Sequence, residues 1–446
     1  MNLSFKTLLS LLLLLSAFSL HAQKQWTLQE CIQYALDNNL NIKQQSLAVE
    51  RNKNQLEQSK WALAPSLDAS ANYSFSWGRT LNTQDFTITE NELSQSGYLS
   101  MGAGLDLFRG MQKINTIKSN KAQLEISGQD VEKLKNDISI EIARTYLQVI
   151  LAQEVLETAK QSRQSVMAQM ARTEKLVNAG SLAYSSLLEI QAQLATEQVQ
   201  VVNAENVLRT NTLSLIQLLD LSLEDHFSVA IPQIKVDTLA FLGASVEQLY
   251  QTSQSLPQIQ IGEYTLQQRE YQLAVSKGQR FPSLNLSAGV STSYNPDLKD
   301  DPRYPAHFFG QLDSRKSPSV RISLSMPIFS GRAISTNIRN AELGVQQAQI
   351  DMKNRQQILY KEIQLANNEA ISAFERYKAT LQNVKAMEES FRYVQQKLEV
   401  GMLNGTDYTV AKTNLFRAQS DHLQAKFQYV FQLKILDFYK GVPISL

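Results

Sequence analysis

The residues that could do chemistry in this 446-residue chain are few and scattered. Cys31 is the single cysteine, so no internal disulfide can form and no clustered thiolates exist to hold zinc or an iron–sulfur centre. The four histidines, His21, His226, His307 and His422, lie far apart, with no HxxxH or HxH spacing to build a metal pair. Gly102-Ala103-Gly104 has the glycine density of a phosphate loop, but it sits inside an alternating apolar–polar run and reads as strand. No catalytic triad, paired acid/base site or nucleotide fingerprint is found. The expectation is a protein that is not an enzyme and holds neither cofactor nor metal. Forty-three Lys+Arg against 42 Asp+Glu leave a net charge of +1 with the signs interspersed. That balance gives no basic field for nucleic acid and none of the acidity of a solvating disordered chain.

The chain opens on what reads as a targeting device. Met1 to Lys6 carries one positive charge, Thr7 to Leu20 is a dense apolar run, and Leu20-His21-Ala22 puts a small residue just before a cleavage point. This is the pattern of a secretory signal, removed after Ala22. A retained transmembrane helix needs about 20 apolar residues, and this run is too short. Cys31 lies well past the cut and lacks the residues that mark a lipid-modified N-terminus, so it reads as a small apolar helix residue. No later stretch resembles a transmembrane helix, so any membrane crossing must use strands.

Two long stretches, 66–231 and 328–442, contain no proline and are rich in Gln, Ala, Leu, Lys and Glu, all helix formers. Within them Ile117, Leu124, Val131 and Ile138 stand seven apart, as do Ile338, Val345, Met352 and Leu359. A seven-residue apolar repeat is a coiled-coil seam. The stretches are also copies of one another. Ile117 and Ile338 are 221 positions apart, and the same offset relates Ile142 to Ile363, Gly180 to Gly401, Leu194 to Leu415, and Phe108-Arg109-Gly110 to Phe329-Ser330-Gly331. Pro65-Ser66-Leu67 and Pro282-Ser283-Leu284 repeat at 217, so an indel of four separates the two sets of landmarks.

Between those landmarks the period becomes two. Leu67, Ala69, Ala71, Tyr73, Phe75 and Trp77 alternate with polar residues, as do Leu99, Met101, Ala103, Leu105 and Leu107. The second copy shows Leu284, Leu286, Ala288, Val290 and Tyr294, then Val320, Ile322, Leu324, Met326 and Ile328. These spacings predict four strands, over 66–78, 98–108, 283–294 and 319–329, each with one apolar face and one of small or polar residues. The connections 79–96 and 295–318 are polar and turn-rich and read as long surface loops. Helices are expected over 28–63, 115–179 and 185–221, then 246–277, 336–400 and 406–439, with breaks at Gly180 and Gly401. The whole divides into a signal (1–22), a first repeat (23–222), a linker (223–245) and a second repeat (246–446). Each long helix would run about 98 Å at about 1.5 Å per residue.

Such strand pairs suit either a soluble sandwich or a transmembrane barrel, and the alternation admits both. Three features point to the barrel. The strands match the span of about 9–11 residues, Tyr73, Phe75, Trp77, Tyr98 and Tyr294 cluster near the loop ends as an aromatic girdle would, and no spare apolar element exists to cover the sheet. Four strands cannot close on themselves, and an open edge in hydrocarbon leaves backbone groups unpaired. Oligomerisation is therefore expected, and three copies would give twelve strands around an opening.

The TLQECIQYALDNN opening, the tandem helix–hairpin–long helix repeat, the APSLDAS and FPSLNLS strand starts, the FRG and FSG exits, and the glycine turns NAGSLAYSSLL and EVGMLNGTDYT together resemble the TolC-like outer membrane efflux family. The resemblance runs through essentially the whole mature chain. It implies a mainly α fold with a membrane β-barrel. Three copies would share a twelve-stranded barrel in the outer membrane, continuous with a twelve-column helical barrel in the periplasm. It implies docking of the helical tips, Gly180, Ser181 and Leu182 with Gly401, Met402 and Leu403, to a periplasmic adaptor that reaches an inner-membrane transporter of the RND, ABC or MFS class. It also aligns Asp407 with an acidic residue that constricts the tunnel entrance in well-known members. Departures occur around it: the second acid of that motif is Val410 here, the gate-locking Arg is Leu403, and the partner acid in the first repeat is Ser186. Closure would then be apolar, through Leu182 and Leu403, and Asp407 would serve as a carboxylate ring or as a helix N-terminal charge. Asp68, Asp106 and Arg321 fall on the polar strand faces and would line the lumen.

The expected function is passive export of small molecules through the outer membrane, energised elsewhere. Two rivals stand beside it: the exit duct of a type I protein secretion system, and a non-conducting periplasmic coiled-coil adaptor.

Overall fold

A computed structural model describes residues 25–81, 88–221, 227–232, 245–296, 303–400, 402–403 and 405–445. The expected signal over 1–22 with His21, then His226, Gly401 and most of the expected linker over 223–245, lie outside the described residues. The helices are α1 (Leu28–Asn38), α2 (Leu40–Trp61), α3 (Gln112–Asn178), α4 (Tyr184–Leu218), α5 (Val246–Ser253), α6 (Pro257–Gly278), α7 (Phe308–Ser314), α8 (Ala333–Glu399) and α9 (Gly405–Tyr439). The strands are β1 (Gln25–Trp26), β2 (Ser66–Leu81), β3 (Ile88–Arg109), β4 (Ser228–Val229), β5 (Ser283–Tyr294) and β6 (Ser317–Ser325). Among the described residues no helix is long and apolar enough to cross a membrane. The two long helices that the repeat pattern predicts are present, with 67 residues each.

The chain forms two compact units. One combines Ser46–Asp130 with Gln258–Arg355 and carries the sheet. Its strands run β2-β3-β5-β6, all antiparallel, so the two repeats meet where β3 pairs with β5. β2 and β6 are left as open edges. Each repeat leaves its sheet through two consecutive left-handed residues, Gly110 and Met111 in the first and Gly331 and Arg332 in the second. The same turn therefore recurs at the 221-residue offset. Lys113, in the first turn of α3, donates to the Ala62 carbonyl at 2.6 Å and pairs with Asp106 at 2.8 Å. It ties the end of α2, the end of β3 and the start of α3 together.

The other unit takes the chain up to Gln45, Val131–Pro257 and the segment from Gln356 onward. Its largest core packs Cys31 and Ala35 of α1 against Ile142, Tyr146 and Ile150 of α3, Leu215 and Leu219, and Phe427 and Val430 of α9. The Tyr146 hydroxyl lies 3.0 Å from the Trp26 carbonyl and 2.7 Å from that of Ala230, holding the short parallel pair β1–β4 against the long helix. Burial pushes its phenol well above the ordinary range, so it stays a donor. A second core, near the ends of the long helices, gathers Val166, Leu187, Ile190, Phe391, Tyr408 and Leu415. Both repeats contribute to it.

Four expectations are corrected. The helix predicted over 28–63 is two helices, broken at Asn39. The Asn39 side chain accepts from Asn41 N at 2.9 Å, and Asp220 accepts from Leu40 N at 3.0 Å. Both cap the start of α2. The helix predicted over 246–277 breaks too, and α6 begins at Pro257, 217 positions beyond Leu40. Proline suits a first helical position because its missing N–H has no partner there. Residues 88–96 are strand rather than loop: Phe75 faces Gln95 and Trp77 faces Leu93 across the ladder, which needs no apolar side chain to form. Finally, β6 stops at Ser325, short of 329, where Pro327 offers no N–H to continue it.

Candidate functional site

The sheet builds its site from alternation. Residues paired across a ladder share a face, so the register sorts every side chain. One face carries Leu67, Ala103, Ala288 and Val320 in one row, then Met101 and Val290, then Leu105, Leu286 and Ile322. These side chains have no cover: Val320 is 75% exposed and Leu324 70%. The opposite face is dominated by serine. Ser70 and Ser100 hydroxyls lie 2.8 Å apart, as do those of Ser74 and Ser96, and Ser287, Ser291 and Ser319 continue the face across β5 and β6.

The charged residues of that polar face are placed unequally. Asp68 lies on edge strand β2 and Arg321 on edge strand β6. Asp106 is not a free acid. It accepts from Asn285 Nδ2 at 2.9 Å and pairs with Lys113 at 2.8 Å and Arg109 at 3.4 Å, so it fastens β3 to β5 and to the start of α3.

Of the expected girdle, Tyr73, Phe75, Trp77 and Tyr294 share the apolar face. Tyr98 does not. It pairs with Asn72 and Ser293, one position out of phase with Leu99, and therefore lies on the polar face beside Ser100. The aromatic residues form a continuous row: Trp77 to Phe75 at 6.4 Å, Phe75 to Tyr73 at 5.1 Å, and Tyr73 to Tyr294 at 6.5 Å. The last pair meets across Gly97, where a Cβ would crowd the Tyr73 ring at 3.2 Å. The row then continues through Phe308 and Phe309 of α7, which sequence reasoning missed because seven residues are too few to show a period.

At the far ends of the long helices, α3 stops in a glycine turn. Gly180 has φ 73, its N–H donates to Val177 and that of Ser181 donates to Leu176, both at 2.9 Å. This is the paired-bond helix stop that favours glycine. Met402 N donates to Lys397 at 2.9 Å, the same bond 221 positions on. Met402 is 75% exposed and Leu182 is partly exposed. Asp407 stands exposed in the first turn of α9, where the helix dipole favours an acid. Leu403 is half-buried. Gly405 lies against the Glu189 carboxylate, so the two turns sit beside each other: a Cβ there would come within 2.6 Å of Oε2.

Sequence reasoning also missed a buried polar cluster just behind these turns. Glu197 is 4% exposed, accepts from Gln193 Nε2 at 2.8 Å, and keeps its second oxygen without a hydrogen bond. Burial holds the Lys412 ammonium below its ordinary range, with the Glu197 charge pulling the other way. Lys412 also lies 5.0 Å over the Phe391 ring. Burial raises the Tyr408 phenol, to which Ser165 is hydrogen-bonded. A signal existed: Gln193 and Glu197 occupy the same helical face as Leu187, Ile190, Val201 and Ala204, where polar residues are out of place.

The model of the family described as outer membrane efflux protein matches residues 31–220 and again 249–441, one match to each repeat. The chain belongs to the outer membrane efflux protein family. Among curated relatives of this family member, the proteases secretion protein PrtF of Dickeya chrysanthemi is 21% identical over 305 residues, covering 66% of this chain and 62% of that relative, under two thirds of its length. The outer membrane protein TolC of Salmonella enteritidis is 22% identical over 429 residues, 94% of this chain and 83% of the relative. A crystal structure of CusC superposes with a TM-score of 0.79 at 17% identity, covering 96% of each chain. That likeness carries the fold.

Proposed function

We propose that this family member is the outer membrane channel-tunnel of a tripartite export system. Three copies close into a twelve-stranded barrel by joining the open β2 edge of one to the open β6 edge of the next. The apolar face then meets lipid, and the serine face with Asp68, Asp106, Arg321 and Tyr98 lines the lumen. Tyr73, Phe75, Trp77 and Tyr294 form the girdle. The observation that carries this reading is the single uncovered apolar face on a sheet with two open edges, since hydrocarbon tolerates such a sheet only when it is closed. We also propose the organisation into a leader over 1–22, repeats over 23–222 and 246–446, and a linker over 223–245, with the helical region in the periplasm. The two matched family segments support the two repeats.

In this scheme Gly180, Ser181, Leu182, Gly401, Met402 and Leu403 form the tips that receive a periplasmic adaptor, through which an inner-membrane transporter supplies energy. Asp407 with Leu182 and Leu403 surrounds the tunnel entrance. The cargo is small molecules. Export of proteins is the second reading, favoured by the likeness to a proteases secretion protein. The test is extraction and reconstitution. The protein should leave membranes only with detergent, migrate as a heat-sensitive trimer and conduct ions in planar bilayers. A monomer that stays dissolved without amphiphile would overturn the proposal and leave a periplasmic structural protein. Adaptor cross-linking that survives bulky charged residues at Met402 and Leu403 would remove the tips from the docking site.

A further inference from the structure

The connection between β5 and β6 does more than join two strands. Its helix α7 packs on the apolar face of the sheet. Thr292, which shares that face through its pairing with Leu99, donates its hydroxyl to the Leu312 carbonyl at 2.7 Å. Phe308 meets Tyr294, also on the apolar face, edge-on at 4.8 Å. Gln311, wholly buried, accepts from Asn295 N at 3.0 Å and pins the helix to the end of β5. The Arg315 guanidinium lies 5.3 Å over the Tyr304 ring and steadies the residues on either side.

Two consequences follow from that placement. The helix packs on the apolar face only at the end of β5, around Thr292 and Tyr294, and leaves the rest of that face and the whole polar face uncovered by α7. The helix and the residues just after it are also set out by polarity. Phe309 is 78% exposed and prolongs the row Trp77–Phe75–Tyr73–Tyr294–Phe308, whereas Asp313 and Lys316, paired with one another, are exposed just beyond. Phenyl rings continuous with a lipid-facing girdle, followed at once by charges, are the make-up of a segment lying at the boundary between acyl chains and headgroups.

We propose that α7 is an interfacial anchor, with Phe308 and Phe309 inserted among the lipids of the outer leaflet and Asp313 and Lys316 at headgroup level. The occupant is the lipid surface, because the apolar face that the helix extends is the one turned to the membrane. This inference rests on the barrel reading given above, and its test separates the two.

Nitroxide labels are placed singly at Phe309→Cys, Asp313→Cys and Val320→Cys in the reconstituted full-length trimer. Cys31 is wholly buried and stays in place. Collision with dissolved oxygen reports lipid, and collision with a water-soluble nickel chelate reports the aqueous phase. The expected result is an oxygen-favoured signal at 309 and 320 and a nickel-favoured one at 313. If 320 reports lipid while 309 reports water, the anchor is wrong and the barrel stands. If 320 also reports water, the barrel reading fails and the anchor with it. Oxygen-favoured signals at both 309 and 313 would place the helix deep in the acyl region and contradict an interfacial position.

Discussion

Gly110 and Gly278 meet backbone to backbone: a Cβ on Gly110 would fall 2.1 Å from the Gly278 carbonyl oxygen, and one on Gly278 would fall 2.4 Å from that of Gly110. The first follows β3 and the second ends α6, so the exit from the first repeat's hairpin rests on the helix that leads into the second. Only hydrogen fits on either side of that contact. Gly331, the repeat-related partner of Gly110, has nearly the same φ but open space around it.

The two positions should therefore respond differently to alanine. Within one chain Gly331→Ala incurs the left-handed strain alone, about 1–2 kcal/mol, and should be the milder change. Gly278→Ala must push the facing backbones apart and should leave little assembled protein. Heating series on gels distinguish them, and equal losses would show that the approach of the two glycines is not what limits assembly.

Tyr98 should act on the pore and Tyr73 on the membrane seat, although both are tyrosines at the same level of adjoining strands. Single-channel recordings should show higher conductance for Tyr98→Ala and unchanged conductance, with weaker heat resistance, for Tyr73→Ala. The reverse assignment would contradict the sorting of faces by register.

Glu197 and Lys412 should behave as a coupled pair behind the tips. Glu197→Leu alone leaves the half-buried ammonium without its counter-charge, and Lys412→Met alone leaves a buried carboxylate. Each should destabilise the helical region by more than the double variant does. A double-mutant cycle in thermal unfolding is expected to give about 0.5–3 kcal/mol of coupling, and additivity would dissolve the pair.

His422 gives the helices an acid sensitivity of definite sign. Burial, then Lys426, lowers its pKa from the ordinary 6.5, while its ring stacks on Tyr377 at 5.2 Å and its Nδ1 lies 3.2 Å from Thr380 Oγ1. The folded state thus binds fewer protons than the unfolded one at and below that pH. Stability should fall as pH drops from about 6.5 through the folded-state value and level off beneath it. Circular dichroism melts between pH 7.5 and 4.5 should show a shallower fall for His422→Phe than for the parent, and identical slopes would exclude the histidine as the source.

The duplication and the four strands were legible because side-chain type alone writes them: Ile142 and Ile363 are both wholly buried at the common offset. What escaped was decided by partners distant in the chain or by backbone alone. The break at Asn39 depends on Asp220, 180 residues beyond Leu40. The extension of β3 to Ile88 needs only N–H and C=O groups. Tyr98 was misplaced by one step of a two-residue period, which reverses a face completely. Asp106 was recognised as a polar-face residue, but its anchoring by Lys113 and Asn285 requires three segments to come together.

The channel depends on which face of the sheet meets lipid, and β6 reports this best because all nine of its residues are exposed in the single chain. Cysteines placed one at a time at Ser319, Val320, Arg321, Ile322 and Ser323 of the reconstituted trimer are offered a membrane-impermeant thiol reagent. Labelling is expected at 319, 321 and 323, with protection at 320 and 322. Labelling at all five, or the inverse alternation, would contradict a lipid-facing apolar face.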